Sequence, residues 1–300
     1  MAHNGNGSIY PQNGGPVLPS SASNRIENRK PEEWWYTENG RSYDTFRRGK
    51  YMFPMDEDEM DRMDIFHKFF LVARQDSSNY GGLCQRPLPA YPRILDLGCG
   101  TGIWSPSRTS QHSRIPPGVE FQRRDIEDPW TGIEENSFDL IHMKMLAGGI
   151  ANWTAIYDRA FRYLKPGTGL FEHVEIDLTP KSADGELPED SQLRIWAHEL
   201  TEAMERAGRP ITANPHTVGM LQRLGYVDVE QTTKRIPFNS WPEDGQEKEM
   251  GISGQHEGHL YPANEHDRSG CLQRSHWTGI YLHATGTKLL LGDLLGHSLP

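Results

Sequence analysis

The sequence predicts an α/β fold, a doubly wound sheet with helices packed on its faces. Short apolar runs alternate along the chain with apolar stripes at helical spacing, which is the pattern of this class. The run at 94–97 leads directly into the glycine-rich loop 98–102, as a buried parallel strand does. Ligands of such sheets bind at the carboxyl ends of the strands.

Each predicted element rests on its own pattern. The first helix follows the acidic run 56–59 and keeps helical spacing of apolar residues up to Ala73. It either packs against the following domain or forms a lid over a ligand site. Further strands are predicted over "YPRILDLGCG", "VEFQRRDIED", "SFDLIHMKML", "GLFEHVEIDL" and "YVDVEQTTKRIPF". Further helices are predicted over "NWTAIYDRAFRYLKPG", "SQLRIWAHELTEAMERAG" and "HTVGMLQRLG".

Composition excludes several classes of function. The net charge of −10 argues against a general nucleic-acid binder, although a local basic patch remains open. The three cysteines are odd in number and far apart, which fits neither a disulfide framework nor a zinc site. The start of the chain has no apolar run typical of a secretory signal, and no stretch approaches the roughly 20 apolar residues of a membrane span. We therefore expect a soluble, intracellular protein.

Four segments are predicted along the chain. Residues 1–33 are rich in Gly, Asn, Ser and Pro and are expected to be disordered. Residues 34–92 form a cap segment with one helix, and residues 93–245 form the sheet domain. Residues 246–300 are expected to be a divergent, poorly ordered tail, because six of the thirteen histidines fall after 250 with little helical periodicity. A shifted reading frame and a regulatory tail both fit this segment.

The glycine loop is the strongest functional signal. Gly98, Gly100 and Gly102 alternate after Asp96, and glycine is needed where the backbone approaches a ligand closely or adopts a positive φ. Backbone N–H groups of such a loop can face an anion. One glycine would serve for a plain turn, so the three together indicate a ligand site. The spacing differs from the G-x-G-x-x-G of dinucleotide sites, which disfavours an NAD-linked enzyme.

Several motifs carry a family resemblance. "ILDLGCGTG" resembles the first motif of class I S-adenosylmethionine-dependent methyltransferases, while "FDLIH" and "YLKPGTGLFEHVEID" resemble their fourth-strand motif and their turn and fifth strand. Together with "ENGRSYDTFRRGKYMFPMDEDEMDRMDIFHKFF" and "DPW", they make residues 35–245 similar to the LaeA group of fungal regulators of secondary metabolism. The resemblance implies a Rossmann-like class I methyltransferase sheet with flanking helices and S-adenosyl-L-methionine as cofactor.

The resemblance also implies a cellular role. Members of the LaeA group join velvet-domain proteins in a heteromeric nuclear complex and control secondary-metabolite gene clusters and development. They are described as methylating themselves. For this chain it implies a nuclear location, with a share in the cytoplasm, no sequence-specific DNA binding and no membrane association.

Cofactor-binding roles carry over to nine residues: Asp96, Gly98, Cys99, Gly100, Thr101, Gly102, Asp125, Ile126 and His142. In the family the loop backbone holds the methionine part of the cofactor and the Asp96 position orients it, so Cys99 and Thr101 would contribute backbone only. The Asp125–Ile126 pair corresponds to an acidic position near the adenine, and a surface aspartate is the open alternative. His142 either points into the cofactor crevice or packs in the core.

No catalytic residue is assigned from the sequence. Glu175 and Asp177 share one face of a predicted strand and would suit a general base, but charges at the sheet edge are favoured. No His/Cys cluster has metal-ligand spacing, so no metal is expected. No nucleophile elbow is present either.

The chain departs from the family after the loop. Only sixteen residues separate Gly102 from Val119, where the family has a helix and a second strand that ends in a ribose-binding acid. A crossover helix alone takes about a dozen residues, and Pro106, Pro116 and Pro117 disfavour both elements. We therefore expect the first helix and second strand to be missing. A natural deletion and a wrongly spliced gene both explain such a gap.

Two further expectations concern this departure. Residues 119–128 would form a strand in the vacant position beside the first strand, so that Asp125 replaces the ribose-binding acid. In the tail, no counterpart of the family's last strand is recognised.

Three functions follow. The first is a methyltransferase that regulates gene expression. The second is a methyltransferase-fold scaffold that binds velvet partners without effective catalysis, which the gap after Gly102 favours. The third is a small-molecule methyltransferase, which the regulator-like N-terminal block disfavours.

Overall fold

The computed structural model describes residues 34–74, 87–104, 118–182, 187–212, 214–234, 236–237, 243–245, 247–249, 275–277 and 285–288. In chain order its elements are β1 (Trp35–Glu38), β2 (Arg41–Asp44), α1 (Glu57–Arg74), β3 (Ile94–Leu97), β4 (Leu140–Lys144), α2 (Trp153–Tyr163), β5 (Leu170–Val174), β6 (Pro180–Ser182), α3 (Gln192–Arg206), α4 (Thr217–Arg223), β7 (Tyr226–Glu230), β8 (Ile236–Pro237), β9 (Ser275–Trp277) and β10 (Thr285–Lys288). The predicted segments 1–33 and much of 246–300, the centre of the gap at 105–117, and two of the cysteines lie outside the described residues.

The central sheet confirms the α/β class. Its five strands have the order β3-β4-β5-β10-β7. β3, β4 and β5 run parallel, and β10 is antiparallel to both of its neighbours. Among the described strands only β4 pairs with β3, so β3 forms the edge where the family's second strand would lie. Residues 105–117 lie outside the described residues, so the loss of that strand stays a prediction.

The two faces of the sheet are covered by different helices. On one face, α2 packs Ile156, Tyr157 and Ala160 against Phe171 of β5 in the largest apolar cluster. Asn152 caps the start of α2, where its Oδ1 accepts from the N–H of Ala155 at 3.0 Å. Side chains alternate along a strand, so the even-numbered residues of β5 face the other side.

The first helix covers that other side. Phe69, Phe70 and Ala73 of α1 are buried with Val174 and Ile176, which confirms α1 as a packing helix. Its apolar stripe and acidic first turn predicted it closely. None of the helices in the described ranges has the length and apolar character that a membrane crossing requires.

The prediction of a strand over 119–128 is wrong. This part of the chain has no regular structure. Its charged side chains instead pair with the N-terminal block: Arg123 with Asp44, Asp125 with Lys50, and Asp128 with Arg47. These partners lie far away in sequence, so an alternating pattern could not reveal them. Because the segment does not pair with β3, the proposed rescue of the ribose-binding strand is wrong as well.

The expectation that the tail has no counterpart of the last strand is also wrong. β10 lies antiparallel between β5 and β7, with Gly286 opposite Phe171 and Thr285 opposite Glu230. β9, from the same segment, pairs with β6 and β8. A four-residue strand between two neighbours is held by main-chain hydrogen bonds and is too short to show a periodic pattern. The predicted boundaries of the four segments stay predictions.

Candidate functional site at the glycine loop

The glycine loop lies at the carboxyl end of β3 in a conformation that favours glycine. Gly98, Gly100 and Gly102 have φ of +70°, +53° and +74°. The turn is closed by a hydrogen bond of 2.8 Å from the N–H of Gly102 to the carbonyl of Cys99. A Cβ on Gly98 would lie 2.4 Å from Cδ2 of Leu146. Both the backbone angle and this close approach therefore require glycine at 98.

Helix α1 contacts the loop directly. The Sδ atom of Met63 lies 3.2 Å from a Cβ built on Gly100. The hydroxyl of Thr101 donates a hydrogen bond to the carboxylate of Asp64. The second half of α1, with Phe69 and Ala73, thus packs in the core. The first half, with Met63 and Asp64, contacts the candidate ligand loop. The packing interpretation is therefore confirmed, and the lid interpretation stays a prediction.

A second link joins α1 to the end of β4. Nδ1 of His67 lies 3.0 Å from Nζ of Lys144. Burial, followed by the nearby Lys144 ammonium, lowers the pKa of His67 to about 4. The imidazole is therefore neutral at pH 7 and accepts the hydrogen bond from the ammonium. This fixes α1 against the carboxyl end of the strand that follows the loop in the sheet.

Three polar residues stand side by side on β3, β4 and β5. The strand register places Asp96 opposite His142, and His142 opposite Glu172. Nδ1 of His142 lies 3.0 Å from Oδ1 of Asp96, and Nε2 lies 3.5 Å from Oε2 of Glu172. Trp104 stacks on the imidazole with ring centroids 3.6 Å apart. His142 is only 1% exposed, so it is packed in the core and reaches the glycine loop only through its contact with Asp96.

The predicted pair Asp125–Ile126 lies on the irregular segment beside the loop. Oδ2 of Asp125 accepts from Nζ of Lys50 at 2.7 Å. Burial is the largest influence and acts to raise the pKa of Asp125. The hydrogen bonds from Lys50 and from the N–H of Glu127, with the charges of Lys50 and Arg47, together outweigh it and lower the pKa. Earlier in the segment, Phe121 approaches within 3.2 Å of a Cβ built on Gly102. The segment therefore borders the loop without forming a strand.

The cysteine of the loop is a thiol at neutral pH. Burial, followed by the nearby Asp96 carboxylate, raises the pKa of Cys99 to about 11. The thiolate is the nucleophilic form of cysteine, and it is scarce under these conditions. This agrees with a role for Cys99 through its backbone alone.

Glu175 is not the edge charge that the sequence favoured. It is 3% exposed, and its Oε2 accepts from the N–H groups of Leu146 and Ala147 at 3.0 and 2.9 Å. Asp177 accepts from the N–H and hydroxyl of Thr179. Glu175 thus fixes the loop that follows β4, which includes the leucine packed on Gly98. Strand alternation gave the face of Glu175 but not the backbone donors that meet it.

The structure brings most of the predicted site together. Asp96, the loop 98–102 and His142 form one group, and Asp125–Ile126 lies on the bordering segment. Sequence reasoning missed Met63, Asp64, Trp104 and Glu172, which surround this group. The strand register was the signal for Glu172; no local signal existed for the others. The described residues contain no group of His, Cys, Asp or Glu that could hold a metal ion.

Comparison with known proteins identifies relatives. Residues 63–214 match the family described as methyltransferase domain. The secondary metabolism regulator LAE1 of Cochliobolus heterostrophus is 44% identical over 236 residues, which cover 72% of this chain and 75% of that protein. The secondary metabolism regulator laeA of Aspergillus flavus is 39% identical over 259 residues, covering 80% of this chain and 66% of that protein. A protein of Emericella nidulans named protein-methionine methyltransferase laeA is 37% identical with the same coverage.

Solved structures of low identity also match. Phosphoethanolamine N-methyltransferase 2 of Haemonchus contortus, in complex with S-adenosyl-L-methionine, gives a TM-score of 0.42 at 13% identity and covers 83% of this chain and 62% of that chain. A putative methyltransferase in complex with the Trm112 activator of Haloferax volcanii gives a TM-score of 0.43 at 12% identity, covering 78% of this chain and 95% of that chain.

The domain match and the identity to the regulators, together with the sheet and loop described above, establish the family. The chain belongs to the LaeA-type secondary metabolism regulators and contains a methyltransferase domain.

Proposed function

We propose that this protein binds S-adenosylmethionine at the glycine loop, transfers its methyl group, and thereby regulates secondary-metabolite gene expression and development. One observation carries the proposal. Gly98, Gly100 and Gly102 all have positive φ and come shortly after Asp96, whose carboxylate lies 3.0 Å from Nδ1 of His142. The backbone of the loop is thus already shaped to bind a ligand, and the oriented carboxylate of Asp96 lies beside it.

The residues present fit the methionine half of the cofactor. A Cβ at Gly98 would collide with Leu146, so the loop keeps this conformation only because no side chain is present there. Its N–H groups would bind the cofactor carboxylate, and Asp96 would accept from its ammonium group. When bound, the cofactor supplies an electrophilic methyl group on a sulfonium. The chain's part is to bind, orient and shield that group from water.

Binding of the ribose part of the cofactor has weaker support. No described strand lies outside β3, so no acid on a described strand faces that side of the loop. Asp125 borders the loop, and Lys50 occupies one of its oxygens. This favours a second candidate function, a methyltransferase-fold scaffold that binds partners without effective catalysis.

The acceptor we propose is a methionine side chain, including one of this chain. The proposal rests on the relative named as a protein-methionine methyltransferase. A thioether carries no proton, so its methylation needs no general base. That agrees with a loop whose one cysteine is a half-buried thiol. Met63, which lies against Gly100, is a methionine within reach of the loop.

The cellular part of the proposal follows the family. We propose a nuclear protein, with a share in the cytoplasm, that joins velvet-domain proteins and neither binds DNA sequence-specifically nor associates with a membrane. The net charge of −10 supports the absence of direct DNA binding. Co-purification of the tagged chain with a velvet-domain protein tests the partner. A small-molecule methyltransferase would co-purify with none.

Calorimetry of the purified full chain with S-adenosylmethionine tests the central claim. We expect one site with a Kd in the micromolar range. No heat at millimolar cofactor would leave the scaffold as the function. Incubation with methyl-labelled cofactor, followed by peptide mapping, then tests self-methylation. Label on a methionine peptide supports it, and Met63→Leu shows whether Met63 is the acceptor.

A further inference from the structure

One carboxylate outside the glycine loop joins three separate parts of the chain. Glu127 lies two positions after Asp125 on the same irregular segment. It forms an ion pair with Arg209, which follows α3 and is only 6% exposed, and Nη1 of the arginine lies 3.2 Å from Oε2 of the glutamate. Burial of a guanidinium is costly unless a carboxylate compensates its charge. Neither side chain has a role in the function proposed above.

The other oxygen of Glu127 binds the loop between β4 and α2, residues 145–152. Oε1 accepts from the N–H groups of Ala151 and Asn152 at 2.9 and 3.0 Å. Asn152 caps α2 with its own side chain, so the cap of the helix is supplied without Glu127. What Glu127 fixes is the end of the loop itself.

Arg209 fixes the middle of the same loop. Its Nη1 also donates to the carbonyl of Gly149, and the carbonyl of Pro210 accepts from the N–H of Gly148 at 3.0 Å. The N–H of Gly149 in turn donates to the carbonyl of Leu146 at 2.9 Å. Hydrogen bonds therefore lead from the buried guanidinium along the loop to Leu146.

These contacts reach both parts of the candidate cofactor site. Cδ2 of Leu146 lies so near the glycine loop that a Cβ built on Gly98 would be 2.4 Å from it. On the other side, the N–H of Glu127 donates to Oδ1 of Asp125 at 3.0 Å. Glu127 thus contacts Asp125 directly and reaches the glycine loop through the loop that carries Leu146.

We propose that Glu127, paired with Arg209, is a positioning residue that holds Asp125 and the glycine loop at a fixed separation. The inference rests on the proposed function, in which the loop binds the methionine part of the cofactor and Asp125 lies at its adenosine part. A ligand that contacts both parts at once binds tightly only when their separation matches its length. Three donors occupy the carboxylate of Glu127, so it acts through the parts that it joins.

NMR of the full chain provides a single probe in the glycine loop. Cys99–Gly100 is the only Cys–Gly pair in the sequence, so labelling with ¹³C′-cysteine and ¹⁵N-glycine gives one cross-peak, from the N–H of Gly100. In the wild type, S-adenosylmethionine should shift this peak saturably. Glu127→Gln keeps an acceptor for the loop but removes the charge that faces Arg209. It should move the peak in the free protein and weaken cofactor binding at least about fivefold.

Two variants provide matched tests. Arg209→Met removes the other side of the ion pair and should have the same two effects. Adding Glu127→Gln to it should weaken binding little further, because both residues act through one link. Asp139→Asn removes the charge of a buried carboxylate at the opposite end of β4, where Lys165 is its partner. This control should leave both the Gly100 peak and the cofactor affinity unaltered.

Three results would overturn the inference. One is an unaltered Gly100 peak and affinity in Glu127→Gln. Another is an equal change in Asp139→Asn, which would assign the effect to a general loss of stability. The third is a double variant whose loss is the sum of the single losses, which would mean that Glu127 and Arg209 act separately.

Two further readings keep the test decisive. If Glu127→Gln fails to fold, Arg209→Met decides by the same peak and the same affinity. A wild-type peak that S-adenosylmethionine does not shift contradicts the proposed function. In that case the peak positions of the free proteins still decide whether Glu127 fixes the glycine loop.

Discussion

Oδ1 of Asp96 and Nδ1 of His142 are 3.0 Å apart on adjacent parallel strands. Trp104 stacks on the imidazole with ring centroids 3.6 Å apart, and Oε2 of Glu172 lies 3.5 Å from Nε2. The buried and stacked imidazole in turn fixes the carboxylate of Asp96 before the glycine loop. His142 is thus a positioning residue for the acid that would orient the cofactor.

The first prediction separates the two nitrogens of His142. In His142→Asn the side-chain amide lies near the position of Nδ1, so the contact with Asp96 is kept. In His142→Gln the amide lies near the position of Nε2, so the contact with Asp96 is lost. A hydrogen bond to a charged group is worth about 1.5–3 kcal/mol, and every 1.4 kcal/mol is about tenfold in affinity. His142→Gln should therefore weaken cofactor binding about tenfold in calorimetry, and His142→Asn much less. Equal losses in both variants would mean that contact with Asp96 is not what His142 supplies.

The second prediction concerns the close approach at Gly98. Gly98 and Gly132 have φ of +70° and +79°, but nothing lies within 4 Å of a Cβ built on Gly132. Gly132→Ala should cost about 1–2 kcal/mol of unfolding free energy from the left-handed backbone alone. Gly98→Ala should cost about 1–3 kcal/mol more from overpacking against Leu146, and it should reduce cofactor affinity as well. Urea unfolding and calorimetry measure the two effects.

Removing the colliding side chain provides the control for this comparison. The double variant Gly98→Ala, Leu146→Ala is compared with Leu146→Ala alone. The difference between them should fall to the cost of Gly132→Ala, because only the backbone strain remains. A difference as large as that of Gly98→Ala in the wild-type background would show that Leu146 is not the cause.

Local patterns were enough to predict most of the fold. Helix α2 was predicted from a stripe of apolar residues between Trp153 and Leu164, followed by the helix-stopping residues Lys165–Pro166–Gly167. In the structure it ends at Tyr163, directly before this stop. The segment 119–128 shows the limit. Its alternating residues suggested a strand, but Arg123 pairs with Asp44, 79 positions earlier, and main-chain partners never formed. Partners at that distance leave no trace in a local pattern.

Only part of the site could be predicted. The spacing of the glycines located the loop, because a positive φ favours glycine at those positions. The row from Asp96 through His142 to Glu172 depends on the register between strands, which three separate segments set together. Likewise, the contact between Asp64 and Thr101 exists because α1 packs where it does. Such contacts follow from tertiary packing and not from sequence spacing.

The third prediction is a pH dependence at the start of α1. Asp56 accepts two hydrogen bonds from Arg41 and caps the helix at the N–H of Glu59. The Arg41 hydrogen bonds lower the pKa of Asp56 from 3.8 to about 2. A lowered pKa means that the stabilisation is fully present above about pH 4 and is lost as pH falls toward 2.

Asp56→Asn tests this without removing the cap, since Asn and Asp cap helices about equally well. The variant should lose about 1 kcal/mol at pH 7, a figure reduced for the partial exposure of the ion pair. The loss should shrink as the pH is lowered from 4 toward 2. Urea unfolding of both chains across this range measures it. A loss that stays constant with pH would exclude the ion pair as its source.

The fourth prediction concerns the role of Asp125. A carboxylate has about four lone-pair sites, and in Asp125 Lys50 and the N–H of Glu127 occupy two of them, at 2.7 and 3.0 Å. Capacity remains for a ligand beside the loop. Asp125→Asn should therefore weaken cofactor binding by about fivefold to tenfold through loss of a charged hydrogen bond. Lys50→Met frees an oxygen and should not weaken binding, although it removes the same ion pair. If both variants weaken binding equally in calorimetry, Asp125 acts by fixing the segment beside the loop, and the cofactor contact carried over from the family is wrong for this chain.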